Sequence, residues 1–223
     1  MTLGLVSVLA GVALGLSLAA PPGPMNAIIA EESVLRGWKA GFRAGLGAMS
    51  ADACFFVLAL GGVVAVVQRA PTVRGGLFAV GGLLMLYFAY GAASDAQAAL
   101  GADVAADGGD DAASGSKGFR RAFALALTNP YQILWWLTAG VGLLDPGTVT
   151  LDALGGLSVS TGSPVIVAGF FGGILLWITG FPATLVAVGR RVEAFAPAVA
   201  YLSALVLALA GLSFLAEAVG TLA

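Results

Sequence analysis

The chain has 223 residues, of which 59% are hydrophobic and only 10% are charged. A soluble domain usually carries charge on about a quarter of its residues, so this composition excludes an ordinary water-soluble fold and indicates a protein surrounded by lipid. With no histidine and a single cysteine, Cys54, the sequence argues against zinc, haem and disulfide chemistry, and no cofactor or metal is expected. The basic residues are scattered at the ends of segments, which is not the pattern of a nucleic-acid binder.

Six apolar stretches are long enough for a helix that crosses a bilayer, which takes roughly 20 residues. The first has no basic start and is followed by Pro21-Pro22 rather than a cleavage site, so we expect it to be retained. Because no stretch alternates in the manner of a membrane β-barrel, the sequence predicts an all-α, multi-pass protein of the cell membrane. The predicted spans are Leu3–Ala20, Ala44–Val67, Gly75–Ala93, Phe119–Leu144, Pro164–Val188 and Ala196–Val219.

Lysine and arginine fall mainly in alternate loops between these spans. The first, third and fifth loops carry eight of them, and the second and fourth loops carry two. Since cytoplasmic loops are enriched in basic residues, we predict that the three basic loops are cytoplasmic and that both termini face outward.

The third loop, residues 94–118, is rich in aspartate, alanine, glycine and serine. This composition is typical of a flexible linker, here acidic and cytoplasmic, which divides the chain into two three-helix repeats, residues 1–93 and 119–223. An odd number of spans in each half requires the second half to run inverted through the membrane, as in many secondary transporters.

Two short motifs occur at matching places in the two halves. Pro24-Met25-Asn26 follows the first span and Pro130-Tyr131-Gln132 lies in the fourth, so each places an amide two residues after a proline. The second and fifth spans each open with Gly-Phe-x-x-Gly, whose glycines have the spacing that lets helices pack closely. The glycines predicted to serve helix packing are Gly41, Gly45, Gly169 and Gly173.

The prolines predict breaks in the first and fourth helices. Proline removes a backbone N–H but suits the first position of a new helix, and Asn129 is a good N-cap for a helix that starts at Pro130. A helix that starts inside the membrane presents its positive end to an anion such as a substrate carboxylate. The nearby amides either satisfy freed backbone groups or bind the ligand, and the sequence leaves both roles open. The predicted substrate-binding residues are Pro24, Asn26, Asn129, Pro130, Gln132 and Asp52.

Asp52 is the strongest single candidate for a working residue. It lies roughly eight residues, or ~12 Å, inside the second predicted span, where a charge costs about 2.5–3.5 kcal/mol on insertion scales. We therefore predict that Asp52 is either the proton-coupling carboxylate or the partner of a substrate ammonium. The alternative is a structural hydrogen bond to Ser50 or to a neighbouring helix.

Other residues carry weaker signals. Glu31 and Glu32 are predicted to lie at a cytoplasmic gate, although interfacial ion pairs with Arg36 and Lys39 explain them more simply. The tryptophans of the fourth and fifth spans are expected to face lipid or the membrane interface, and these are Trp135, Trp136 and Trp177. The alternative for Trp135 and Trp136, which follow the fourth-span break, is that one of them shapes a cavity.

Taken in chain order, these motifs resemble the LysE/RhtB family of amino-acid exporters. The resemblance implies a six-helix secondary transporter that exports amino acids or related small metabolites, and this export is driven by an ion gradient, usually of protons. It covers most of residues 20–135 and rests on Pro22-Gly23-Pro24-Met25-Asn26, Arg36-Gly37-Trp38-Lys39-Ala40-Gly41, Gly45-Leu46-Gly47 with Asp52, Phe119-Arg120-Arg121-Ala122-Phe123 and Asn129-Pro130.

Three other functions fit the sequence less well. A divalent-cation exporter of the wider superfamily would need more intramembrane ligands than Asp52 and Cys54 supply. An enzyme would need paired acids, an activated nucleophile or a metal cluster, so we predict no catalytic residues, and a pure assembly subunit has no reason to carry broken helices. The expected partners are a small-molecule substrate and the lipid bilayer, with no nucleic acid, and the sequence leaves a homodimer open.

Overall fold

The computed structural model describes residues 2–61, 71–101, 111–151, 157–189, 191 and 195–222. Helices dominate these residues, which confirms the all-α class. The helices are α1 (Thr2–Ala19), α2 (Pro24–Arg36), α3 (Trp38–Leu60), α4 (Pro71–Gly101), α5 (Asp111–Leu127), α6 (Pro130–Trp135), a π-helical turn (Trp136–Gly140), α7 (Val141–Leu144), α8 (Pro164–Gly189) and α9 (Phe195–Leu222).

Within the described ranges, four helices are long and apolar enough to cross a membrane: α3, α4 up to Ser94, α8 and α9 up to Thr221. The α1–α2 pair passes the same test together as a fifth crossing, with a bend of 83° between the two helices. These helices confirm a protein of the membrane with several apolar crossings. The predicted number of six spans stays a prediction, because the predicted fourth span is divided among α5, α6, the π-helical turn and α7.

Helix extends further into the predicted linker than its composition suggests. Residues 94–101 continue α4, and residues 111–118 form the first turns of α5. Alanine, leucine and glutamine have high helix propensity, and the run Ala96-Gln97-Ala98-Ala99-Leu100 prolongs a helix that is already nucleated. Residues 102–110, which carry much of the acidic charge, lie outside the described part of the chain.

The long loop after the predicted fourth span contains a β-hairpin that the sequence did not suggest. Strand β1 (Gly147–Leu151) pairs antiparallel with β2 (Leu157–Thr161), and Val149 lies opposite Val159. β-Branched residues favour this pleated structure. The backbone N–H of Ser160 donates to the Ser7 hydroxyl at 2.9 Å, which fixes the hairpin against α1.

Three helix pairs form the main body, namely α1 with α8, α3 with α5, and α4 with α9, and α2 packs among α3, α5, α8 and α9. Glycine allows close approach in each pair. Gly173 of α8 faces the Val12 backbone of α1, and Gly47 of α3 faces the Phe119 backbone of α5. Gly82 and Gly211 face each other's carbonyl groups between α4 and α9. Small residues at such crossings let van der Waals contact hold helices together where lipid removes the hydrophobic drive.

The four glycines predicted to serve helix packing all lie at contacts. Gly41 faces the Ser33 side chain of α2 and Gly45 faces Ile178 of α8. Gly169 and Gly173 face the backbone of α1. The Gly-x-x-x-Gly spacing of α8 therefore forms one continuous groove that receives α1.

We expect Gly173→Ala to destabilise the protein by about 1–3 kcal/mol, because the new methyl group overlaps the Val12 backbone and pushes α1 away from α8. The neighbouring Gly172 is a matched control, since a Cβ there has nothing within 4 Å. Gly172→Ala should be neutral or slightly stabilising. The check is thermal unfolding of both variants in the same detergent, and equal midpoints would show that the α1–α8 contact is looser than described.

Candidate functional site

The first break in the helical structure lies between Ala19, where α1 ends, and Pro24, where α2 begins. Pro21, Pro22 and Pro24 supply no N–H groups to the carbonyls before them, so the last turn of α1 needs other donors. Asn26 provides them. Its Nδ2 donates to the Ala19 carbonyl at 2.7 Å and to the Pro21 carbonyl at 2.8 Å. One buried side chain therefore satisfies the backbone on the outside of the 83° bend.

The same amide also connects the bend to α8. The indole Nε1 of Trp177 donates to Asn26 Oδ1 at 3.0 Å, and the Trp177 ring stacks on Phe181 one turn further along α8. The orientation of the Asn26 amide is therefore determined from both ends, with its nitrogen on the bend and its oxygen on Trp177.

The second break lies between α5 and α6. The N–H groups of Gln132 and Ile133 both donate to the Asn129 carbonyl, at 3.1 and 3.2 Å. This places Asn129 at the N-cap position, directly before the helix that starts at Pro130. The helix changes to a π-helical turn at Trp136, and such turns are frequent at functional sites.

Asp52 lies buried on α3, opposite this second break. Its Oδ1 accepts a hydrogen bond from Gln132 Nε2 at 2.6 Å and another from Trp136 Nε1 at 3.0 Å. The Ser50 hydroxyl is not the partner, since it donates to the Leu46 carbonyl at 2.7 Å. Both donors to Asp52 are neutral, so they satisfy a buried oxygen without cancelling a carboxylate charge.

The two breaks and Asp52 border a single cavity of about 310 Å³. Its polar lining combines both amide motifs with the α3 carboxylate, and its remaining walls are apolar and aromatic. Of the predicted substrate-binding residues, those that line it are Pro24, Asn26, Asp52, Asn129 and Gln132. Pro130 begins α6 next to this lining, and its side chain lies outside the described part.

Glu31 and Glu32 do not line this cavity. Both are fully buried on α2, at 0% exposure. Arg121 of α5 binds Glu31 through two nitrogens, at 2.9 and 3.2 Å, and reaches Glu32 at 3.3 Å. Arg36 also contacts Glu32 at 3.1 Å. Of the two ion pairs expected from the sequence, the one with Arg36 is present, whereas Lys39 is exposed. The main partner, Arg121, comes from the other half of the chain.

Sequence reasoning misplaced two tryptophans. Trp136 is fully buried and bonds Asp52, and Trp177 is partly buried, lines the cavity and bonds Asn26. The expectation of lipid-facing or interfacial anchors is wrong for both, because an indole N–H in an apolar environment needs an acceptor. The acceptors, Asp52 and Asn26, lie far from the tryptophans in the chain, so no nearby residue in the sequence indicates these hydrogen bonds. Trp135 also lines the cavity, as the alternative interpretation allowed.

Replacing Asn26 by alanine should destabilise the protein by about 2–4 kcal/mol, because two carbonyls at the bend and the Trp177 indole lose their partner. Thr184→Ala is the control, since its exposed hydroxyl bonds only the Gly180 carbonyl of its own helix. We expect that control to change stability by less than about 0.5 kcal/mol. Denaturant titration of both proteins in detergent measures the difference, and similar midpoints would mean that the bend holds without the amide.

Comparison with known proteins assigns the chain to a family. A family model described as "LysE type translocator" matches residues 16–218, a range that includes every residue lining the cavity. Two curated relatives align over 126 residues: "Uncharacterized membrane protein PA4757" of Pseudomonas aeruginosa at 29% identity, and "Putative amino acid efflux protein YcgF" of Bacillus subtilis at 32%.

Each of these alignments covers 56% of this chain and 58% of the relative, so the chain spans somewhat more than half the length of the relatives it matches. No solved structure matches the chain. The family match confirms the resemblance and extends beyond residues 20–135, on which that resemblance rested, and the chain belongs to the LysE-type translocator family.

Proposed function

We propose that the protein is a secondary active transporter that exports neutral amino acids or closely related zwitterionic metabolites from the cytoplasm. The observation that carries this proposal is the buried Asp52 carboxylate on the wall of a cavity. Its described hydrogen bonds come from two neutral donors, Gln132 and Trp136. Charged groups inside membrane helices are costly and usually serve transport. The Bacillus subtilis relative named for amino acid efflux agrees with this function.

The helix contacts support two inverted halves. Exchanging the halves would turn the α1–α8 pair into the α5–α3 pair and the α4–α9 pair into itself, and all three pairs are in contact. The side-chain amides also join the two halves. Asn26 of the first half bonds Trp177 of the second, and Gln132 of the second bonds Asp52 of the first. In inverted-repeat transporters the substrate site lies at the interface between the repeats, which is where this cavity lies.

The polar groups of the cavity suit the two ends of an amino acid. Asp52 is the charged residue of its lining and would receive the substrate ammonium through a charge-assisted hydrogen bond. The start of α2 also lines the cavity. Pro24 has no N–H and the Ala27 N–H donates to the Gly23 carbonyl at 3.0 Å, so the Met25 and Asn26 N–H groups are the ones that would receive the carboxylate. The ammonium and the carboxylate would thus bind to different groups of one small site.

The remaining walls favour a neutral side chain on the substrate. Ile29, Ile174, Ile178 and Trp135 present apolar surface to the cavity. A basic amino acid would bring a second positive charge and would need a second carboxylate, and Asp52 is the carboxylate of the lining. A divalent-cation exporter is favoured even less, since hard cations prefer several oxygen ligands and amides with indoles form most of the polar lining.

Proton coupling through Asp52 would explain how export is driven. A protonated Asp52 no longer attracts an ammonium, so proton binding and substrate binding at this carboxylate would exclude each other. This competition allows an inward proton to release a substrate on the outer side. An inward proton gradient would set the direction as export, since each proton that enters would displace a substrate outward.

We expect Asp52→Asn to separate the two roles of the carboxylate. If Asp52 couples protons, the variant should lose at least about 90% of pH-driven efflux from proteoliposomes but keep exchange of internal for external substrate. If Asp52 also binds the ammonium, exchange should fall as well. Asp145→Asn, which neutralises an exposed carboxylate, is the matched control and should keep both activities. Unchanged pH-driven efflux in Asp52→Asn would remove this residue from the mechanism.

Substrate class is tested by loading proteoliposomes with an equal mixture of leucine, lysine and glutamate and measuring each by mass spectrometry after a pH gradient is imposed. Leucine should leave at least about tenfold faster than lysine or glutamate, because the additional side-chain charge of either competitor would have no partner beside one carboxylate and one helix start. Parallel liposomes with manganese or cadmium test the metal-exporter alternative. Metal efflux without amino-acid efflux would overturn the proposal.

A further inference from the structure

A second concave surface lies apart from the transport cavity, between the end of α4 and the middle of α5. This surface, called here the basic groove, has a volume of about 430 Å³. Its polar lining consists of Tyr87, Tyr90, Ser94, Lys117, Arg120 and Arg121. The charged residues that line it are therefore all cations.

The groove lies at the boundary of the membrane. The apolar span of α4 ends at Ser94, and Tyr87 and Tyr90 lie within the last two turns before that end. Their side chains are 70% and 76% exposed. Exposed tyrosines at the end of a spanning helix are typical of the interfacial belt, where the ring lies at the level of the lipid headgroups.

An apolar stripe leads from the hydrocarbon region into this groove. Val80 and Leu83 are 49% and 60% exposed, and with Tyr87 and Tyr90 they occupy positions i, i+3, i+7 and i+10 of α4. This spacing places all four side chains on one face of the helix. A hydrocarbon chain lying along this face would end at Ser94, beside Lys117 and Arg120.

The cations of the groove have different surroundings. Arg121 is buried and directs its guanidinium to Glu31 and Glu32, and it also lies 5.0 Å from the Phe88 ring centroid. Lys117 and Arg120 are exposed. The outer part of the groove therefore combines two accessible cations with hydroxyl donors, a set that suits a phosphate group.

We propose that the basic groove binds the headgroup of an anionic phospholipid, with the phosphate at Lys117 and Arg120 and one acyl chain along the exposed stripe of α4. Charge complementarity selects an anionic lipid, and the stripe selects a molecule with a hydrocarbon tail over a free anion. Basic pockets at the membrane surface bind anionic headgroups in this way.

The test is native mass spectrometry of the full-length protein in detergent, titrated with phosphatidylglycerol or with phosphatidylcholine of the same acyl chains. The wild type should retain phosphatidylglycerol in preference. The double variant Lys117→Gln/Arg120→Gln should weaken that binding about thirtyfold. Each basic residue near an anionic surface strengthens binding by a similar factor, and the two factors multiply. Excess inorganic phosphate should not displace the lipid.

Lys39→Gln/Arg191→Gln is the matched control, because it removes two exposed cations outside the groove that are predicted to face the same side of the membrane. This control should retain phosphatidylglycerol like the wild type. Equal retention of the two lipids, equal loss in both double variants, or displacement by phosphate alone would overturn the proposal. A changed oligomeric mass in the groove variant with unchanged lipid retention would also overturn it, and would make this face a contact between copies.

Discussion

A polar group inside a lipid bilayer has no water to bind, so it needs a hydrogen-bond partner within the protein, and this constraint determines the interior contacts. Where α1 ends, the carbonyls of Ala19 and Pro21 lose their helical donors, and the Asn26 amide replaces them at 2.7 and 2.8 Å. Asp52 meets the same requirement through Gln132 and Trp136. Asn26 in turn accepts from Trp177, 151 residues away, and Gln132 is 80 residues from Asp52, so both irregular segments are joined to distant parts of the chain.

The residues that satisfy the irregular backbone also line the cavity, which links stability to function. In the proposed transporter, Asn26 is bonded on both sides and would remain a fixed wall, whereas Asp52 is held by neutral donors that a substrate ammonium or a proton can displace or supplement. The glycine seams between paired helices contribute the other requirement, because close backbone approach lets van der Waals contact hold the helices together in lipid.

Local chemistry made the all-α membrane class, the prolines at helix starts and the burial of Asp52 predictable, because each depends on neighbouring residues alone. The partners of Asp52, the inter-half bond between Trp177 and Asn26, and the binding of Glu31 by Arg121 were not predictable. These contacts join residues far apart in the chain, and an indole or guanidinium in sequence carries no mark of its acceptor. The π-helical turn at Trp136 and the β-hairpin likewise depend on packing that periodicity does not reveal.

The buried ion cluster also constrains how the protein is made. Glu31 and Arg121 are 90 residues apart in the chain, so at a synthesis rate of about 5–20 residues per second the carboxylates are complete roughly 5–20 s before their arginine partner. Glu32 can pair with Arg36 four residues later, but Glu31 lacks its arginine during that interval, and a buried carboxylate without its partner is costly. The ion cluster that joins α2 to α5 is therefore complete only when the chain is more than half synthesised.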